Sequence, residues 1–186
     1  MPLPRRAFWY LRHGETDWNA RGLSQGNVDI ALNPVGVAQA ERAAGSLRGR
    51  GIRGIVSSPL SRARVTAEIV AAPLGLPVAF DDGLREVSFG VQEGRPMGDW
   101  YDDWVAGHFT PEGAETFAAL RARAVAAIGR ALARPEPVLV VAHGALFRAV
   151  RAEMGLVPNV RTPNGVPFLC QPGPAPGDPW TLTPAA

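Results

Sequence analysis

The chain has 186 residues, of which 46% are hydrophobic and 19% charged, and carries a formal net charge of +2. That length supports a single domain over residues 1–186 with a substantial core, and leaves too little for a second. The near-neutral balance excludes a broad basic field for nucleic acid, and no apolar run approaches the roughly 18 residues that cross a bilayer.

The first residues, Met1 to Arg6, carry charge but lead into no signal-peptide core. A cytoplasmic protein that binds neither membrane nor nucleic acid is expected. One cysteine, Cys170, rules out an internal disulfide and a cysteine-based zinc site, and reads as a small buried apolar residue. All 19 basic residues are arginines. Their number therefore says little, and only position marks an arginine as an anion ligand. Without lysine a Walker-type phosphate loop is impossible.

In chain order, Ala7-Phe8-Trp9-Tyr10 reads as a buried strand that leads into Leu11-Arg12-His13-Gly14-Glu15-Thr16. Asn33-Pro34, then Val37, Ala40, Ala44 and Leu47, sets a helical period with Pro34 near the start and Gly49 and Gly51 at the stop. Gly54-Ile55-Val56 is a second strand. A helix follows, with Ser58 as expected N-cap, Pro59 in the first turn, and Val65 and Ile69 on the inner face. Pro73 and Gly75 end it, and residues 77–80 form a third strand.

Residues 81–113 are broken by six glycines, with Trp100, Tyr101 and Trp104 in a short helix or lid. Residues 115–133 form the clearest helix, its inner face marked by Phe117, Leu120, Ala124, Ile128 and Ala131. A strand at 138–142 precedes a helix near 145–154 that Gly155 ends. The Pro-rich tail holds two strands, 166–170 and 180–183, joined as an edge hairpin. Strands alternating with helices predict a three-layer α/β/α sandwich, a mostly parallel sheet with helices on both faces.

Two strand ends carry the chemistry. His13-Gly14 and His143-Gly144 each follow a buried strand, and ligands of open α/β sheets bind at the carboxyl ends of strands. A neutral imidazole nitrogen can attack phosphorus near pH 7, provided its other nitrogen keeps a proton. Gly14 lets a backbone approach closely. Arginine forks beside such a nucleophile neutralise phosphoryl oxygens. Arg12 adjoins His13, and Arg62 lies in the first turns of the helix after residue 58, near a favourable helix N-terminus. Arg64, two residues on, faces away. No third histidine or carboxylate stands at ligand spacing from the two histidines, so no metal is expected.

The block Arg12-His13-Gly14-Glu15-Thr16 and the segment Ser57 to Ala67 resemble the histidine phosphatase superfamily, the phosphoglycerate mutase-like proteins, over about residues 11–148. The resemblance implies that fold, and a metal-independent, cofactor-free phosphoric monoester hydrolase of the histidine acid type. It makes His13 the phosphohistidine-forming nucleophile and Glu86 the acid and base. It makes Arg12, Arg62, His143 and Asn19 the phosphate ligands, and Gln25 and Gly26 the contacts at the pocket rim. Glu15 and Glu93 are rival carboxylates that the family pattern reads as structural. Ala142 stands where the family usually has serine.

The expected substrate is a small phosphorylated metabolite. Asp99, Asp102 and Asp103, with no basic cluster over 95–115, point to a leaving group that is neutral, cationic or aromatic. Phosphoglycerate mutase-type transfer and a non-catalytic phosphate-binding module are the alternatives. The two tail strands offer edges for pairing in a homodimer.

Overall fold

The computed structural model describes residues 2–185. Six strands form one sheet in the order β3-β2-β4-β1-β5-β6. They are β1 (Phe8–Arg12), β2 (Gly54–Ser57), β3 (Val78–Phe80), β4 (Val138–Ala142), β5 (Pro167–Gln171) and β6 (Thr181–Pro184). The first four in that order run parallel; β5 is antiparallel to β1 and to β6. The helices are α1 (Asp17–Ala20), α2 (Pro34–Leu47), α3 (Ser61–Leu74), α4 (Trp100–Ala106), α5 (Phe117–Leu132) and α6 (Gly144–Glu153).

Alternation along the central strands splits the core in two. Phe8, Tyr10, Val138, Val140 and Ala142 face α4, α5 and α6, with Trp104, Leu120, Ile128 and Phe147 among the buried partners. Trp9, Leu11, Ile55, Leu139 and Val141 face α2 and α3, with Leu47, Ala63, Ala67 and Val70. Strands covered on both sides must be apolar at every position, so β1 and β4 read as continuous hydrophobic runs. The expected layered α/β architecture is present.

Local signals set most helix ends. Asn33 accepts from the Gly36 N–H at 2.8 Å ahead of Pro34, and Thr116 accepts from the Ala119 N–H at 3.1 Å. Gly75 caps α3 in the left-handed conformation, with φ 64°. The start of α3 departs from expectation. Ser58 is not its N-cap, and Pro59 lies outside it; the cap is Leu60, with no side-chain bond. Asp29, from a distant loop, accepts from the Ser61 N–H and hydroxyl at 2.7 and 2.8 Å instead.

The inner face of α3 is Arg62, Ala63, Thr66, Ala67, Val70 and Ala71, rather than Val65 and Ile69. Two polar residues on that face hid the period. In α2, Val37 is exposed and Gly36 is the buried residue. Only β6 of the tail hairpin is an edge. Strand β5 is paired on both sides, with β1 and β6, and so has no free edge for a second subunit. Among the described residues no helix is long and apolar enough to cross a membrane.

Candidate active site

Three adjacent parallel strands, β2, β4 and β1, end side by side. The residues that follow them are Ser58, His143 and His13. The register pairs Arg12 with Ala142, and the His13 N–H bonds the Ala142 carbonyl at 3.0 Å. The Ser58 N–H likewise reaches the Val141 carbonyl at 3.0 Å. The two imidazoles are thereby brought to 5.3 Å between centroids, tilted by 57°.

His13 is only 1% exposed. Its Nδ1 lies 2.7 Å from the Gly14 carbonyl. A carbonyl only accepts, so Nδ1 carries the proton and Nε2 keeps its lone pair. Burial holds the His13 pKa well below the ordinary histidine value, helped by the Arg62 and Arg12 charges and opposed by the Gly14 bond. A neutral ring with a free Nε2 is the nucleophilic form. The loop carrying it is clamped by glycine. A Cβ on Gly14 would lie 2.2 Å from the Gly36 carbonyl oxygen, so the start of α2 approaches at backbone distance.

His143 is fully buried, with Nε2 2.8 Å from the Ser58 hydroxyl and Nδ1 unpartnered. Ser58 Oγ also takes the Leu60 N–H at 3.3 Å, which leaves its own proton for Nε2. With Ser58 as the donor to Nε2, the ring carries its proton on Nδ1, a donor to spare. Its pKa too is well below the ordinary value, through burial first and then Arg62, His13 and Arg12. Tyr10 fixes the His143 backbone, donating to its carbonyl at 2.8 Å and accepting from its N–H at 3.1 Å.

The two arginines are held differently. Arg12 donates to the Thr162 carbonyl at 2.6 Å while its Nε is unpartnered. Gly144 lies against the guanidinium, where a Cβ would sit 3.2 Å from Nε. Arg62 is completely buried, its terminal nitrogens donating to the Gly26 and Val28 carbonyls at 2.7 and 2.8 Å, with Nε unpartnered. Burial draws both guanidinium pKa values down to about 10, so both stay cationic at neutral pH.

The Glu86 carboxylate meets the N-terminus of α6. It accepts from the N–H groups of Ala145 (2.9 Å), Leu146 (2.8 Å) and Val87 (3.1 Å). Helix N-termini offer unpaired N–H donors and favour negative charge. Glu86 also lines a pocket of about 320 Å³ with Arg12, His13, Asn19, Gln25 and Gly26. Five predicted site residues thus share one wall with His13 or form its floor. Arg62 and His143 are absent from that wall and lie buried behind it.

The Asn19 amide oxygen accepts from the Thr16 N–H at 3.3 Å, and the Asn164 amide reaches it at 3.2 Å. Gln25 accepts from the Thr16 hydroxyl at 2.6 Å. The rival carboxylates are occupied in loop structure: Glu15 takes the Asn33 amide at 3.0 Å, and Glu93 the N–H groups of Asn27 and Phe89 at 3.0 and 3.1 Å. Arg64 pairs with Glu68 on the surface, and His108 is exposed. Cys170 is buried, and burial pushes its thiol pKa up. Among the described residues no group of three or more His, Cys, Asp or Glu side chains is placed to hold a metal ion.

Sequence reasoning missed several contributors. Ser58 looked like a helix cap, and Thr162 and Asn164 lie in a tail with no motif. Arg148 and Arg161 also line the pocket, with Tyr101, Phe89 and Met97. Arg148 follows Ala145 by one helical turn, a spacing legible once α6 is placed. Nothing local marks Arg161. Asp99, Asp102 and Asp103 are exposed and lie off the pocket wall, and Asp102 is bonded by Asn159. The acids on which the expectation of a neutral, cationic or aromatic leaving group rested thus lie away from the pocket, and the basic residues that line it come from other segments.

The sequence pattern of the Histidine phosphatase superfamily (branch 1) matches residues 8–163. The chain belongs to that superfamily. It is 38% identical over 162 residues to the probable phosphoglycerate mutase GpmB of Yersinia enterocolitica, covering 80% of this chain and 75% of that one. Its structure is similar to a mycobacterial glucosyl-3-phosphoglycerate phosphatase complexed with VO3, with TM-score 0.83, 30% identity and coverage of 96% and 98%. A phosphoserine phosphatase variant from Entamoeba histolytica shares the fold, with TM-score 0.80 at 24% identity over 97% and 96% of the two chains. The chain is thus an enzyme of a family whose relatives include phosphatases and a probable mutase.

Proposed function

We propose that this protein is a metal-independent phosphomonoesterase that works through a phosphohistidine on His13. The supporting observation is the His13 ring itself: proton fixed on Nδ1 by the Gly14 carbonyl, Nε2 free, at the floor of a pocket that Glu86 shares. Nε2 attacks phosphorus as the ester P–O bond breaks, and protonated Glu86 gives its proton to the departing alkoxide. The α6 N–H groups steady the carboxylate left behind. Glu86 then takes a proton from water as that water attacks phosphorus. The P–N bond breaks, and inorganic phosphate and the starting enzyme result.

Charge on the transferred group falls to Arg12, Arg62, the His143 Nδ1–H and Asn19. Guanidinium groups and fixed donors there supply the electrostatic stabilisation that dominates phosphoryl transfer. A mutase would share the first half-reaction and return the phosphoryl group to another hydroxyl of the bound alcohol.

Phosphate release from an aryl phosphate in excess chelator tests the reading. Wild type is expected to release phosphate, and His13→Ala to lose all but a trace. Release that survives in His13→Ala would sink the mechanism. Silence from wild type on every ester would favour a mutase or a non-catalytic module.

A further inference from the structure

We propose that Arg123, tied to Glu115, is a positioning residue for Glu86: it holds the stretch of backbone that presents the catalytic carboxyl, from beneath the pocket and without touching substrate. This rests on the phosphomonoesterase reading, in which Glu86 protonates the leaving oxygen.

The need for such a device lies in the chain around Glu86. Residues 85–88 belong to no helix or strand. No regular ladder pairs their backbone groups, which must find partners elsewhere. Yet the carboxyl has to meet one oxygen of the bound ester at hydrogen-bond distance, and a misplacement of about 1 Å can cost roughly 100-fold in rate. The N–H groups of α6 fix the two carboxylate oxygens. They do not fix the chain that carries them.

Arg123 does so from α5. Its Nη1 donates to the Gly83 and Arg85 carbonyls at 2.9 and 2.7 Å, and Nη2 faces the Glu86 carbonyl at 3.5 Å. Nε and Nη2 also grip the Glu115 carboxylate as a fork, at 2.9 and 2.6 Å. Every N–H of the guanidinium is thereby directed at a protein acceptor. Glu115 is held in turn. Its N–H donates to the Ser88 carbonyl at 2.9 Å, and its own carbonyl takes the Trp104 indole N–H at 2.9 Å. Carbonyls on both sides of Glu86, at 83, 85 and 88, are therefore anchored to one ion pair and its backbone.

The planar fork suits this task, because a single ammonium cannot meet two carbonyls and both carboxylate oxygens at once. The Arg123 and Glu115 side chains are 27% and 20% exposed, and neither lines the pocket. Their effect on the reaction must pass through Glu86. Arg130 supplies the contrast. It grips Asp81, at the other end of the same segment, at 2.8 and 2.7 Å, and bonds no carbonyl around Glu86.

The test reads a ratio within one preparation: kcat/KM for propyl phosphate over kcat/KM for p-nitrophenyl phosphate. The amount of folded enzyme cancels, so a variant that is merely less stable leaves the ratio unchanged. Propoxide needs a proton to depart and p-nitrophenolate does not. Arg123→Gln is expected to lower the ratio about fivefold or more. Arg123→Lys, which keeps the charge and part of the donor set, should fall between it and wild type. Arg130→Gln should leave the ratio alone. Glu115→Gln should lower it in the same direction and serves if Arg123→Gln fails to fold. In a Glu86→Gln background Arg123→Gln should lower the ratio no further, because the two act through one carboxyl. Equal slowing of both esters by Arg123→Gln and Glu115→Gln would overturn the proposal and leave the phosphatase reading standing. A further fall in the Glu86→Gln background would overturn it equally, by showing that Arg123 acts through another group. No hydrolysis of either ester by wild type would overturn both.

Discussion

Ser58 does its work at the level of one proton. Its hydroxyl sits between the Leu60 N–H and His143 Nε2, which leaves the Nδ1–H of a neutral ring available to a ligand. The charged groups that act on that ring are Arg62 from α3, Arg12 at the end of β1 and Arg123 from α5, with the His13 ring beside it. Arginines predominate among the charges, so the ring is a donor by tautomer and not by protonation. Ser58→Ala should lower kcat about tenfold or more. The loss should be similar at pH 6 and pH 8, because burial and the neighbouring arginines keep the ring neutral at both. Ser58→Thr, which keeps the hydroxyl, should recover most of the rate. A loss in Ser58→Ala that Ser58→Thr fails to recover would argue for a packing role alone.

Glu86 makes a second prediction at this scale. If it protonates the leaving oxygen, Glu86→Gln should slow alkyl phosphates far more than p-nitrophenyl phosphate, whose leaving group needs no proton. Equal slowing of both would show that the residue matters for holding α6 and not for proton transfer.

Among the elements, the contact of the His13 loop with the start of α2 is the least forgiving. A Cβ on Gly36 would lie 2.1 Å from the Glu15 carbonyl oxygen, and one on Gly14 equally close to Gly36. Both partners are backbone and cannot swing aside. Gly36→Ala should cost about 2–3 kcal/mol by overpacking, read as a lower midpoint in urea, and should lower activity by shifting the loop. Thr116→Ala, which removes the N-cap of α5 and touches no part of the pocket wall, should cost about 1 kcal/mol and leave kcat alone. The pair separates loss of stability from loss of loop geometry. One helix signal was legible here: Asn33-Pro34 starts α2 as its residue types predict. The start of α3 was not, because Asp29 caps it from across the loop.

For the whole molecule, burying two neutral histidines links folding to pH. Both have folded-state pKa values below the ordinary value of about 6.5. Below that pH the unfolded chain binds protons that the folded chain refuses, so stability falls as pH falls. Above it neither state is protonated there, and the contribution is flat. The slope is at most about 1.4 kcal/mol per pH unit for each ring. Melting temperature should therefore hold between pH 7 and 8 and decline below 6.5, and His143→Gln should flatten the decline. Asp29 and Asp81, whose pKa values are lowered, contribute in a separate window near and below pH 3.8. An unchanged slope in His143→Gln would mean that other groups carry the dependence.

The sequence by itself determined the strand-helix alternation, the two histidines at strand ends, and the arginine and glycine beside the first. Those follow from local pattern: buried strands are apolar at every position, and the residue after a parallel strand opens onto the ligand side of the sheet. Only the tertiary structure decided the rest. The strand order sets β2, β4 and β1 side by side and so turns Ser58 from an expected cap into a partner of His143. The path of residues 155–166 brings Thr162 to Arg12 and Arg161 to the pocket, across about 150 residues of chain. Contacts at that separation depend on how the layers stack and on where a loop returns. No local period or motif records either, and the two arginines that join Arg12 on the pocket wall, Arg148 and Arg161, became visible only in the folded chain.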